Sequence, residues 1–270
     1  MKHFPIELPK CLMHAYLPDV MDAVRTPRPS IVICPGGGYR FRSDREADPI
    51  ALVFAAKGFN CFIVEYAVAP EVQEPVYPAA LFDVAHAVAW VREHAAECCA
   101  DPNAIAVMGF SAGGHAACHL GVRWHEKDLM ASFGLTTEQA RPNAMVLSYP
   151  VITAGKYAHR GSFEHLTGSK DLADHAPFSL EEKVSEHTPP TFLWHTWEDA
   201  SVPVENTLLM AHALRAHGVP AEVHIFPRGG HGVGLGTEVT AMKPEQILPE
   251  VQIWPELVRD FLLRLDNESK

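Results

Sequence analysis

The stretch GFSAG, residues 109–113, places a serine between two glycines. It directly follows an apolar run at 105–108 and leads into an alanine-rich segment. A serine at a sharp turn from strand to helix is held in a strained backbone conformation, and side chains at the flanking positions would collide there. Glycine at 109 and 113 removes that collision. We therefore predict that Ser111 is a nucleophile. The alternative is a small residue in an ordinary tight turn.

A histidine follows another apolar run, at 221–226. His231 lies in RGGHG, residues 228–232, where glycines on both sides leave its ring able to turn inward. His115 and His119 are the rival histidines near Ser111, but they lie four and eight residues after it on the predicted helix, so we expect them to pack along that helix. As an i,i+4 pair they could hold a metal, yet no third ligand is evident. We predict His231 as the base and no metal site.

Two adjacent carboxylates, Glu198 and Asp199, follow the apolar run at 191–195. Either could orient the imidazole or lie in a solvated loop. Asp199 is favoured because a shorter side chain needs firmer placement.

The stretch PGGGY, residues 35–39, follows the apolar run at 30–34. Three glycines let a backbone come close to a ligand with its N–H groups free to donate hydrogen bonds. The spacing matches neither a dinucleotide site nor a phosphate loop. A carbonyl oxygen that becomes an oxyanion suits this stretch best, although a plain turn would also explain it. We predict oxyanion donors at Gly37 and Gly38, with the N–H of Ala112 as a third.

The elements that position these residues alternate along the chain. Apolar runs at 30–34, 61–66, 105–108, 144–149, 191–195 and 221–226 predict buried strands, and helical patterns at 78–94, 208–217 and 256–265 lie between or after them. Such alternation predicts an α/β fold with a mostly parallel sheet, covered by helices on both faces, that places ligands outside the carboxyl ends of its strands. All three polar candidates follow predicted strands.

Composition excludes several classes of function. The chain has 270 residues, a formal net charge of −11 and no basic stripe, which argues against nucleic acid as a partner. No segment approaches a signal sequence or a membrane span, so we expect no membrane association and a cytoplasmic location. The six cysteines resemble neither a disulfide framework nor a zinc site. We expect a single domain over residues 1–270.

Two segments leave alternatives open. Residues 151–190 are long, polar and weakly periodic, which fits either a small lid inserted between two strands or a helix-containing surface crossover. The stretch SDRE, residues 43–46, has the form of a capping box. Because Pro49 falls too deep for a helix that starts at Asp44, we favour Asp48 as the N-cap of a helix that ends before Gly58, and a loop near the active site at 43–46.

Together these residues resemble the α/β-hydrolase superfamily, in its esterase branch related to hormone-sensitive lipase and the acetylxylan esterases. The order Ser111, Asp199, His231 is the order of that family. Further matching stretches are EYAVAP at 65–70, YPAALFD at 77–83 and GFSAGGH at 109–115. Asp199 with Val202 and Pro203 also resembles the family's acid motif. Pro35 stands where many relatives have histidine, which favours the small carbohydrate-esterase-like members over the lipase-like ones.

The resemblance implies a serine esterase that forms an acyl-enzyme without a metal or organic cofactor. Its expected partner is a small ester, with a short acyl group on a soluble carbohydrate such as an acetylated xylo-oligosaccharide. A peptidase or amidase of the same fold, aminopeptidase-like or formamidase-like, is the alternative enzyme. A non-catalytic binding protein on the same scaffold is the third hypothesis, and it predicts a damaged triad.

Overall fold

The computed structural model describes residues 1–20, 27–72 and 75–268. Within these ranges eight strands form one sheet in the order β1-β2-β4-β3-β5-β6-β7-β8. The strands are β1 Lys2–Glu7, β2 Leu12–Leu17, β3 Arg28–Cys34, β4 Asn60–Val64, β5 Ala100–Phe110, β6 Ala144–Ser148, β7 Thr191–Thr196 and β8 Ala221–Phe226. β1 and β2 run antiparallel to their neighbours, and all pairs from β4 through β8 are parallel. The prediction of a mostly parallel α/β sheet is confirmed.

The helices cover both faces of the sheet. They are α1 Asp48–Ala56, α2 Ala69–Val72, α3 Ala79–Glu93, α4 Ala112–Arg123, α5 Lys127–Ser132, α6 Thr137–Ala140, α7 Arg160–Thr167, α8 Leu172–His175, α9 Glu205–Ala216 and α10 Trp254–Glu268. Short 3-10 turns lie at Asp44–Glu46, Ala176–Phe178, Leu180–Lys183 and Pro244–Gln246.

Alternation along the central strands creates two separate cores. On β3, Val32 and Cys34 pack into one hydrophobic cluster with α3 and α4, whereas Ile31 and Ile33 pack into the other with α1 and α10. Successive side chains of a strand point to opposite faces, so a continuous apolar run is what a sheet buried on both faces requires.

Two elements differ from the sequence-based expectation. The sequence does not predict β1, because its pattern carries little apolar signal: of its six residues only Ile6 is buried, as suits an edge strand that contains a proline. The N-cap of α1 is Ala47 rather than Asp48. Asp48 is the first helical residue instead, and its carboxylate accepts a hydrogen bond from the Tyr16 hydroxyl at 2.6 Å.

Residues 151–190 form a helix-containing segment between β6 and β7 that includes α7 and α8. Asn206, buried on α9, anchors its first residues. The Asn206 side-chain oxygen accepts from the N–H groups of Ile152 and Thr153 at 2.9 and 3.1 Å, and its amide donates to the carbonyls of Tyr157 and Pro203 at 3.0 Å each. One side chain therefore ties this segment to the start of α9.

We expect Asn206→Leu to lower the free energy of unfolding by about 2–4 kcal/mol, because it leaves two buried N–H groups without their acceptor. Urea unfolding followed by circular dichroism measures the change. Asn103→Ala, at an exposed asparagine, is the matched control and should stay within about 0.5 kcal/mol of wild type. Equal stability of the Asn206→Leu variant and wild type would contradict this account of the anchor.

Candidate active site

Ser111 lies at the turn between β5 and α4, in the left-handed region with φ 53°. The flanking glycines are required there sterically. A Cβ on Gly109 would lie 2.1 Å from the Gly113 carbonyl oxygen, and a Cβ on Gly113 would lie 2.1 Å from the Cys34 carbonyl oxygen. The turn is fixed by the Ser111 N–H, which donates to the Ser148 carbonyl at 3.0 Å. The strained turn is therefore held by backbone contacts on both sides.

The three predicted polar side chains are in hydrogen-bond contact in series. Ser111 Oγ is 2.7 Å from His231 Nε2, and His231 Nδ1 is 2.6 Å from Asp199 Oδ2. With the proton on Nδ1, the ring donates to the carboxylate and its Nε2 is free to accept the serine proton. The arrangement can therefore draw a proton from a hydroxyl that lies at the rim of the sheet.

Asp199 is held from several directions. Its Oδ1 accepts from the N–H groups of Ser201 and Val202 at 3.0 and 2.9 Å, and its Oδ2 lies 3.3 Å from Nε2 of the buried His195. Burial raises the pKa of the Asp199 carboxyl, but hydrogen bonds from His195 and His231 outweigh burial and hold that pKa below its ordinary value. The carboxylate stays ionised against the imidazole.

Glu198, the competing carboxylate, contacts a different part of the site. Its Oε2 accepts from the N–H of Gly229 at 3.1 Å, in the loop that leads to His231. Glu198 therefore supports the histidine loop, and Asp199 alone of the two contacts the ring of His231.

The glycine turn, residues 36–38 after β3, lies beside Ser111 and His231. Gly37 and Gly38 have φ of 132° and 66°, and the Gly37 carbonyl accepts from Arg40 and Phe41. Over the described parts of the chain, no acceptor takes the N–H of Gly37 or Gly38. Ala112 begins α4, where the first N–H groups of a helix have no partner within it. These three N–H groups can serve a ligand oxygen.

Sequence reasoning missed the role of the turn at Asp44–Glu46. The buried Glu46 accepts from the Gly36 N–H at 2.9 Å and from the Tyr149 hydroxyl at 2.6 Å. The same hydroxyl accepts from the Gly234 N–H at 3.2 Å. Arg45 donates to the carbonyl of Gly232, next to His231, at 2.9 Å. We call Arg45, Glu46 and Tyr149 the loop clamp, because together they join the glycine turn to the histidine loop.

A cavity of about 340 Å³ opens above Ser111 and His231. The segment at 151–190 supplies part of its wall through His159, Gly161 and His165, so this segment borders the site. The His165 ring nitrogen Nδ1 donates to the Gly38 carbonyl at 3.1 Å and thereby joins α7 to the glycine turn. Burial and the neighbouring His231 lower the pKa of His159. His159 therefore presents a neutral ring to the cavity near pH 7.

The rival histidines pack along α4. His115 contacts the Tyr39 hydroxyl at 2.8 Å and the Phe178 carbonyl at 3.0 Å, and burial lowers its pKa to about 4. His119 lies 3.2 Å from an Arg123 nitrogen.

Across residues 1–20, 27–72 and 75–268, no group of three His, Cys, Asp or Glu side chains could hold a metal ion. In the same ranges no helix combines the length and the apolar character that crossing a membrane requires.

The sequence matches one family model and several known proteins. The model of the family BD-FAE matches residues 13–214, a range that includes Ser111 and Asp199 and ends before His231. Endo-1,4-beta-xylanase B of Butyrivibrio fibrisolvens is 36% identical over 213 residues, and an acetylxylan esterase of Xylanibacter ruminicola is 30% identical over 215 residues. The matches cover 78% and 77% of this chain, but only 33% and 42% of those two proteins.

A solved structure is similar over nearly the whole chain. It is the acetyl ester-xyloside bifunctional hydrolase of Caldicellulosiruptor lactoaceticus, with 37% identity and a TM-score of 0.80. The match covers 95% of this chain and 88% of that one.

The loop clamp generates a prediction about Ser111 itself. We expect Glu46→Ala to slow labelling of Ser111 by a fluorophosphonate probe by about 10–100-fold, because the glycine turn and the histidine loop lose their common partner and shift. Stopped-flow labelling measures the rate. Glu46→Gln should recover most of it, since the amide oxygen still accepts from Gly36, and Glu138→Ala is the exposed control. Labelling of the Glu46→Ala variant at the wild-type rate would show that the clamp does not position these loops.

Proposed function

The chain belongs to the BD-FAE family, within the esterase branch of the α/β-hydrolase superfamily, and from that premise we propose that it is a serine carboxylic ester hydrolase. The single observation that carries the proposal is the series of hydrogen bonds from Ser111 through His231 to Asp199. The mechanism forms and hydrolyses an acyl-enzyme on Ser111.

In the first half-reaction, Ser111 Oγ attacks the ester carbonyl carbon while His231 Nε2 takes the hydroxyl proton. The carbonyl oxygen becomes an oxyanion. The bond to the alcohol then breaks, and the His231 imidazolium returns its proton to the leaving oxygen. In the second half-reaction, water attacks the acyl carbon while His231 takes a proton from the water. The bond between the acyl carbon and Ser111 Oγ then breaks, His231 returns the proton to Oγ, and the carboxylic acid leaves.

Asp199 holds the ring of His231 in the tautomer that leaves Nε2 unprotonated. It also stabilises the imidazolium that forms in each half-reaction. The lowered pKa of its carboxyl supports this role, because the carboxylate keeps its negative charge against the ring near neutral pH. The N–H groups of Ser201 and Val202, which donate hydrogen bonds to Oδ1, fix the carboxylate in place.

The oxyanion is proposed to accept hydrogen bonds from the N–H groups of Gly37, Gly38 and Ala112. These donors are backbone groups on either side of Ser111, so the oxygen is stabilised without any movement of side chains. The loop clamp supports the proposal, since it joins the glycine turn to the loop that carries His231.

For the substrate we propose a short acyl ester, acetyl above all, on a soluble carbohydrate such as a xylo-oligosaccharide. The wall of the cavity contains histidine, arginine and serine side chains, which suit a polar alcohol better than a long acyl chain. The relatives named for acetylxylan and xyloside hydrolysis support the same class.

Ser111→Ala should fold normally and lose ester hydrolysis by a factor on the order of 10⁶ in kcat, because nothing else in the site can form the acyl-enzyme. Hydrolysis of p-nitrophenyl acetate measures the loss, and thermal unfolding checks the fold. Ser132→Ala, at an exposed serine on α5, is the control. Wild-type turnover by the Ser111→Ala variant would refute the mechanism.

Acyl-chain preference tests the substrate class separately. We expect kcat/KM to fall about tenfold or more from acetyl to octanoyl p-nitrophenyl esters, since a long chain would have to displace water from the histidine, arginine and serine groups of the cavity wall. A panel of esters running from acetyl to octanoyl gives the profile. A higher kcat/KM for octanoyl would replace the proposal with a lipase-like one, and faster cleavage of dipeptide amides would replace it with a peptidase.

A further inference from the structure

Two more cavities continue from the active-site cavity along the ends of β3, β4 and β2. The nearer one, of about 520 Å³, shares Arg40, Phe41 and Ser43 with the active-site cavity. The farther one, of about 580 Å³, shares Arg42, Glu65 and Glu71 with the nearer one. The three cavities therefore lie next to one another in a row. A short acyl group needs only the first of the three.

We call the two outer cavities the edge groove. Its lining includes His14 on β2, Phe41 and Arg42 after the glycine turn, and Glu65 and Glu71 after β4.

Phe41 lies on the wall between the active-site cavity and the edge groove, and 57% of it is exposed. Its position is fixed by its N–H, which donates to the Gly37 carbonyl at 3.2 Å. An aromatic face in this place can stack on the apolar face of a ring that spans both cavities. The Phe41 ring is therefore held at a fixed position relative to the turn that is proposed to bind the oxyanion.

The floor of the edge groove contains charged groups that are already paired. Arg42 donates to both carboxylate oxygens of Glu71, at 2.7 and 2.8 Å, and His14 Nε2 lies 2.8 Å from Glu65 Oε1. Arg42 also donates to the Tyr66 carbonyl at 2.9 Å. These bonds fix donors and acceptors side by side, as a ligand with many hydroxyl groups requires.

The ion pair between Arg42 and Glu71 also disfavours two other classes of ligand, phosphates and fatty acyl chains. At Arg42 a phosphate would meet a guanidinium whose charge is already compensated by Glu71, and beside it a fatty acyl chain would have to desolvate the ion pairs. A neutral polyhydroxyl chain meets neither cost.

We propose that the edge groove binds the sugar units next to the esterified unit of a neutral oligosaccharide. Phe41 stacks on the unit that crosses from the active-site cavity, and the Arg42–Glu71 and His14–Glu65 pairs bind the hydroxyls of the units beyond it. This inference rests on the proposed function, because the ester itself must lie at Ser111.

The first experiment compares kcat/KM per acetyl group for acetylated xylohexaose and acetylated xylose. Wild type should prefer the hexaose by about tenfold or more, mainly through KM, because binding away from the reacting bond adds to affinity. Glu71→Ala and His14→Ala should each reduce this preference by about five- to tenfold, the scale of a lost hydrogen bond to a charged group. Glu138→Ala, at an exposed carboxylate outside the groove, should leave the preference unchanged.

The second experiment measures binding without turnover. Calorimetry with Ser111→Ala and unacetylated xylohexaose should give a dissociation constant at least about tenfold lower than with xylobiose, and the double variant with Glu71→Ala should lose that difference. Equal affinity for both sugars, or equal kcat/KM on hexaose and xylose, would overturn the edge groove as a sugar site. If the wild-type protein did not hydrolyse p-nitrophenyl acetate at all, the esterase mechanism would be refuted instead. Calorimetry would still show whether the edge groove binds sugars.

Discussion

The candidate site depends first on the register of the parallel strands. Cys34 of β3 lies opposite Gly109 of β5, Phe110 of β5 lies opposite Ser148 of β6, and Thr196 of β7 lies opposite Phe226 of β8. The strands therefore end at nearly the same height, and the loops that follow begin side by side. Side chains separated by more than a hundred residues, Ser111 and His231, meet because their strands end together. A shift in this register would move a loop away from its partner.

The loops stay in place because contacts between them outweigh local strain. Ser111 and Tyr149 are both non-glycine residues with positive φ, a conformation that costs about 1–3 kcal/mol at each position. Tyr149 is held by its N–H, which donates to the Trp194 carbonyl at 2.7 Å, and by its hydroxyl on Glu46. The strain at Ser111 and the loop clamp are thus parts of one arrangement, in which the turns after β3, β5, β6 and β8 fix one another.

The polar surroundings of the site agree with its proposed chemistry. α7 and its N-cap residue bring His165 and His159 to the cavity, and the edge groove extends outward from the glycine turn with the Arg42–Glu71 and His14–Glu65 pairs in its lining. An apolar lid would exclude water around a long acyl chain. These walls instead suit a hydrated substrate whose alcohol is a chain of sugars, and Phe41 connects the two regions.

The sequence by itself determined the parallel sheet, because apolar runs as long as a strand that alternate with helical patterns are compatible with few other folds. It also determined Ser111 and His231 as candidates, since glycines flank each and each follows a strand. For the carboxylate, the sequence favoured Asp199 over Glu198 only by side-chain length and by the family resemblance. The tertiary structure supplies the physical distinction, because Asp199 contacts the ring of His231 and Glu198 contacts Gly229. Arg45 and Glu46 likewise gave no sequence signal for the loop clamp. Their partners lie 187 residues away at Gly232 and 103 residues away at Tyr149, and no local pattern encodes contacts over such distances.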